Sequence, residues 1–167
     1  MTALTRRSAL EAGVRAVLLM LLPATDAAAL RAVRPDYPER PVREFLKRHF
    51  AGSREFSATG LDGKERYLTS RFRSGLYKFF ARRREAGKGL PLVMDPFTGS
   101  MGARDYRVGD AKVRSEKAWV PVTCTDGTNT WTITYIMRDD QERGDDRWRS
   151  DDIQDVRGML LSETLRG

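Results

Sequence analysis

One histidine, one cysteine and a handful of well-placed carboxylates bound the chemistry open to this chain. Acid–base catalysis needs an imidazole, carboxylate or phenol in an enclosed space, with its pKa moved toward neutrality. The candidates are His49, Asp95, Tyr135 and Asp152. His49 lies at helical spacing from Phe45 and beside Phe50, so it is either an acid–base group or a hydrogen-bonded core residue. Asp95 precedes Pro96, the pattern of a helix cap that accepts backbone N–H groups. On a regular strand Asp151 and Asp152 alternate, so only one of them points inward. Tyr135, Trp131 and Trp148 are the candidate ligand-binding aromatics; the competing reading is that such rings simply fill a core.

Metal and cofactor chemistry finds little support. A single cysteine excludes an intramolecular disulfide and a thiolate cluster, and a single histidine excludes a multi-histidine site. Cys124 alternates with Val120 and Val122, which predicts a buried, inert thiol. The acidic loop of Asp139, Asp140, Glu142, Asp145 and Asp146 is interrupted by Arg143 and lacks the ligand offsets of a calcium loop. It reads as a solvated turn between strands. No metal site and no cofactor are expected.

The 167 residues carry a net charge of +7, a balance that favours anionic partners or simply solubility. Arg71, Arg73, Lys78, Arg82, Arg83, Arg84 and Lys88 fall along one helical segment. Cations near a helix C-terminus are stabilised by the helix dipole without any ligand. Nucleic-acid binding fits the charge but not the compartment; anionic envelope polymers and lipid head groups fit both.

That compartment is read from the first 29 residues. A polar stretch with Arg6, Arg7 and Arg15 precedes the apolar run Ala16–Leu22; Pro23 ends the run, and Ala27-Ala28-Ala29 supplies small residues for cleavage. The run is far shorter than the about 20 residues of a membrane-spanning helix. Residues 1–29 are therefore expected to be a signal peptide, with Thr5-Arg6-Arg7-Ser8 partly matching the twin-arginine signature. The mature chain is expected to be a soluble periplasmic or secreted protein with no second apolar segment.

The elements that must position the candidates follow from periodicity. Residues 30–40 read as an extended lead-in to a single domain over 41–167. Pro41 opens a helix bearing Val42, Phe45, Leu46, His49 and Phe50, stopped at Gly52. Asp62 and Glu65 suggest a capping box for a second helical region, whose stripe runs Tyr67, Leu68, Phe72, Leu76, Phe79 and Phe80. Ser74-Gly75 is a point of kinking or breakage, and Gly87 a stop. Asp95-Pro96-Phe97 opens a short turn ending near Gly102. The period then changes to two: strands are predicted over Tyr106–Val113, Ala118–Cys124, Thr130–Met137 and Trp148–Val156, with Asp126-Gly127 as a hairpin turn. A short helix over Met159–Leu165 ends the chain. Helices followed by an antiparallel meander predict an α+β fold, with helices on one face of a curved sheet of about four strands forming a cone.

Four stretches carry a family resemblance: Leu68-Thr69-Ser70, Asp95-Pro96-Phe97, Ala118-Trp119-Val120-Pro121-Val122 and Trp148-Arg149-Ser150-Asp151-Asp152-Ile153. Over residues 40–166 the chain resembles an uncharacterised exported bacterial domain family with a nuclear-transport-factor-like (cystatin-like) fold. The last stretch is similar to that superfamily's W-x-I-x-D-I closing strand, with Ser150 where the pattern has an apolar residue. The resemblance implies a fold and a compartment but no established activity, since the fold hosts enzymes and inert modules alike. Three functions are open: a module binding a small ligand or envelope protein; a small isomerase- or dehydratase-like enzyme using Asp152, Tyr135 or His49 in the cone; or an envelope-interaction or immunity-type partner, with an exposed apolar patch around Trp119 and Pro121. Open sheets of this kind also pair, so a homodimer is compatible with the sequence, though no residue specifies it.

Overall fold

The computed structural model describes residues 37–87, 94–140 and 148–166. The expected signal peptide, most of the lead-in, Lys88 and most of the acidic loop lie outside them. Helix α1 spans Glu39–Ala51 and buries Val42, Phe45, Leu46 and His49 on one side. It starts two residues before the expected Pro41. Pro38 takes the cap position, and Pro41 sits in the first turn, where a missing N–H costs nothing.

The expected helix opening at Asp62 is not formed. Two 3₁₀ turns, Thr59–Leu61 and Glu65–Tyr67, occupy this stretch instead. Gly63 between them has φ +72°, a left-handed conformation that no α-helix can run through. Helix α2 begins later, at Ser70, and runs unbroken to Glu85 through Ser74-Gly75. Thr69 is its cap, accepting the Phe72 N–H at 3.2 Å. Phe72, Leu76 and Phe80 are its buried stripe, and the chain leaves the helix at Gly87 as expected.

The fold is α+β with an antiparallel sheet. Its strands are β1 (Asp105–Val108), β2 (Lys112–Arg114), β3 (Lys117–Thr125), β4 (Thr130–Asp139) and β5 (Trp148–Gln154), in the order β1-β3-β4-β5 with β2 also on β3. The strand expected over Tyr106–Val113 is thus two short ones. Between them the Ala111 N–H leaves the ladder and donates to Glu39 Oε1 at 2.6 Å. Ala118, Val120, Val122 and Cys124 of β3 and Ile133, Tyr135 and Met137 of β4 face the helices in one core. The hairpin at Asp126-Gly127 is closed by Asp126 Oδ1, which accepts the N–H groups of Thr128 and Asn129.

Strand β5 departs from the regular pattern. Ile136 pairs with Asp152 but Met137 pairs with Ser150, so Asp151 is the extra residue of a β-bulge. Asp151 and Asp152 are consequently both buried, against the expectation that only one turns inward. Ser150 is fully buried too, its hydroxyl 3.4 Å from Met137 Sδ. The outer edge of β5 is covered by isolated bridges, Leu68 with Ser150 and Gln154 with Leu160, which protects it from pairing with another chain. The strand stops at Gln154 rather than Val156 because Asp155 turns the chain, its N–H donating to Met159 O at 2.9 Å. The last helix, α3, is accordingly shorter than expected, Leu161–Thr164.

Candidate functional site

The turn Asp95–Ser100 is where most of the candidate side chains meet. Asp95 Oδ1 accepts the Phe97 N–H at 3.0 Å, and the Asp95 carbonyl accepts the Gly99 N–H at 2.7 Å. This is the expected capping geometry. Three side chains add to it. His49 Nε2 lies 2.7 Å from Asp95 Oδ2, Arg54 Nη2 lies 3.3 Å from the same oxygen, and the Thr98 hydroxyl lies 2.8 Å from it. His49 and Asp95 have no solvent-exposed side-chain surface.

The other face of the imidazole fixes its tautomer. Lys64 Nζ is 3.2 Å from His49 Nδ1 and 2.9 Å from the Ser53 carbonyl. An ammonium has only donors, so Nδ1 accepts and Nε2–H donates to Asp95. The result is a chain Lys64–His49–Asp95–Arg54 running through the interior, with Arg54 also donating to the Ala103 carbonyl at 2.6 Å. Burial pushes the Asp95 carboxyl up, but hydrogen bonds from His49, Thr98 and the Phe97 N–H outweigh it, and its pKa lies below the ordinary carboxylate value. Burial lowers the Lys64 pKa, with the negative charge of Asp95 opposing that fall.

Two more candidates close on the same turn. The Tyr135 hydroxyl donates to the Phe97 carbonyl at 2.7 Å, and Trp131 Nε1–H donates to the Thr98 carbonyl at 2.7 Å. Tyr135 is fully buried, and burial raises its pKa well above that of a free phenol. Phe45 fills the middle, its ring centroid 5.1 Å from Phe97 and 6.0 Å from both His49 and Tyr135. The interior of the expected cone is therefore packed with rings around the candidate acid–base groups.

Asp152 and Trp148 lie elsewhere, on β5. Asp152 accepts the Ser162 N–H at 3.0 Å and the Ser162 hydroxyl, which ties down the start of α3. Trp148 stands opposite Asp139 at the far end of the strand, nearly buried. Neighbouring Asp151 accepts from the Thr69 hydroxyl at 2.8 Å and from Arg71 Nη2 at 2.7 Å. Burial raises its pKa, but these bonds win and hold it below the ordinary value. Burial pushes the Cys124 thiol up to about 11, in keeping with an inert residue. Trp119 and Pro121 are half-buried on the outer sheet face.

Sequence reasoning found His49, Asp95, Trp131 and Tyr135 singly but not their convergence. It missed Lys64, Arg54 and Thr98. Thr98 was within reach, three residues after an aspartate cap; Lys64, flanked by Asp62, Gly63 and Glu65, has every mark of a solvated lysine. Among the described residues no group of three histidine, cysteine or acidic side chains is placed to hold a metal ion, and no helix is long and apolar enough to cross a membrane. Comparisons with protein-family models, with curated proteins and with solved structures find no match.

Proposed function

We propose that this chain is an exported binding module of the cell envelope, with a nuclear-transport-factor-like fold whose interior polar groups serve structure rather than catalysis. One observation carries the non-catalytic part. Both His49 nitrogens, the Asp95 carboxylate and the Tyr135 hydroxyl are engaged by partners within the protein. A general base must reach a substrate proton, directly or through one water. His49, the best candidate, has Lys64 on one nitrogen, Asp95 on the other and the rings of Phe45 and Phe97 packed against it. The apolar run before Pro23 and the small residues at Ala27-Ala28-Ala29 support export. Helices on one face of an open antiparallel sheet support the fold assignment.

Native mass spectrometry of the protein recovered from the cell envelope tests the reading. A chain starting at Leu30, with a partner or small molecule retained, is the expected result. A full-length chain in the soluble cytoplasm would overturn the export reading. A retained molecule that is chemically turned over by the purified protein would favour the isomerase- or dehydratase-like alternative.

A further inference from the structure

The exposed side of α2 and the C-terminal helix α3 bound a groove of about 340 Å³. Four cations line it, Arg71, Lys78, Arg82 and Arg166, and no carboxylate does. Two of the four are already engaged: Arg71 by Asp151, and Arg82 by the Leu165 carbonyl. Lys78 and Arg166 are exposed, and no carboxylate among the described residues pairs with either. Lys78 and Arg82 are also four residues apart on one helix, a like-charge spacing that disfavours the helix unless an anion comes between. Cations at the end of α2 benefit from its dipole, but that benefit does not require them to converge with Arg166 from another element.

A second observation points to the same place. Gly75 lines the groove from the middle of α2, where glycine is a poorer helix former than alanine. Its backbone is not left-handed, and a Cβ built on it would meet nothing within 4 Å. Neither conformation nor packing within the protein calls for glycine here. What the missing side chain does provide is access to the helix surface between the cations.

We propose that this groove binds a phosphate group, seated against Gly75 and held by Lys78 and Arg166, with Arg82 beside them. Guanidinium and ammonium donors converging from α2 and from the turn after α3 suit the several oxygens of a tetrahedral oxyanion. The proposal deepens the binding-module reading and rests on it. The mature mass tests export and groove binding tests the ligand, so either can fail alone.

The test is calorimetric titration of the purified chain with inorganic pyrophosphate at low salt, alongside sedimentation with phosphatidylcholine vesicles that contain or lack phosphatidylglycerol. The expected result is saturable one-to-one binding, weakened at least about tenfold by the double variant K78A/R166A. G75L fills the groove and is expected to abolish binding while raising Tm, which separates occlusion from unfolding. K112A/R114A, which removes two exposed cations from β2, is expected to leave binding unchanged. Pyrophosphate binding without vesicle capture assigns the phosphate to a soluble ligand. Capture only of phosphatidylglycerol vesicles, lost in G75L, assigns it to a lipid headgroup. Absence of both, or equal losses in K112A/R114A, would overturn the proposal.

Discussion

His49 and Asp95 stand 46 residues apart in the chain and meet at 2.7 Å with no exposed side-chain surface. The contact joins α1 to the Asp95–Ser100 turn, on which Tyr135 and Trp131 also close. Removing the imidazole takes one hydrogen bond from the buried Asp95 carboxylate, which keeps Arg54, Thr98 and the Phe97 N–H, and leaves the buried Lys64 without its Nδ1 acceptor, a loss of about 1–3 kcal/mol. His49→Leu, which keeps the bulk and deletes both nitrogens, is expected to destabilise the protein by about that amount. Urea denaturation checks it, through a lower midpoint at an unchanged slope.

Asp152 answers a different question. If it anchors α3 through Ser162, Asp152→Ala frays the C-terminal segment and uncovers Leu161 and Leu165, which are otherwise buried. The expected cost is about 1–3 kcal/mol. Hydrogen exchange should show protection lost at residues 161–165 and retained in β3 and β4.

Thr69 performs two tasks with one hydroxyl. Oγ1 accepts the Phe72 N–H at the start of α2 and donates to Asp151 in the β5 bulge. Thr69→Val keeps the shape and loses both bonds. A loss of about 1–2 kcal/mol is expected, in the range of a lost helix cap. Asp151→Asn in the Thr69→Val background should cost less than it does alone, a coupling that a double-mutant cycle measures.

Cys124 is expected to be silent toward thiol reagents in the folded protein. It is fully buried in β3 and its thiol pKa is pushed up to about 11, so the reactive thiolate is scarce at neutral pH. Labelling by a disulfide reagent should follow global unfolding in rising urea. Rapid labelling without denaturant would mean that β3 opens locally.

Where side chains alternate in a ladder, the sequence told most of the story. Ala118, Val120, Val122 and Cys124, then Ile133, Tyr135 and Met137, form the buried face that alternation along the two predicted strands implies. Three features were not legible, each for a physical reason. The β5 bulge depends on how Ser150 and Asp151 engage Leu68 and Thr69, more than 80 positions earlier in the chain. The failed helix at Asp62 turns on Gly63, whose left-handed backbone overrides a favourable capping pattern. Lys64 enters the core because His49 Nδ1 and the Ser53 carbonyl await it, and a local charge pattern does not record that. The candidate site was therefore visible as separate residues and invisible as a network.

The most direct test of a structural interior is the acid dependence of stability in the wild type and in Asp95→Asn. The Asp95 carboxyl has a folded pKa below its unfolded value of about 4. Its contribution is thus fully present above about pH 4 and lost as pH falls through the folded pKa. Wild-type stability should be higher than that of Asp95→Asn at pH 7 and should fall further on acidification, the variant keeping only the acid dependence of Asp151 and the remaining carboxylates. Equal stability at pH 7 with parallel acid profiles would contradict the account, because it would mean that the Lys64–His49–Asp95–Arg54 chain does not hold the fold together.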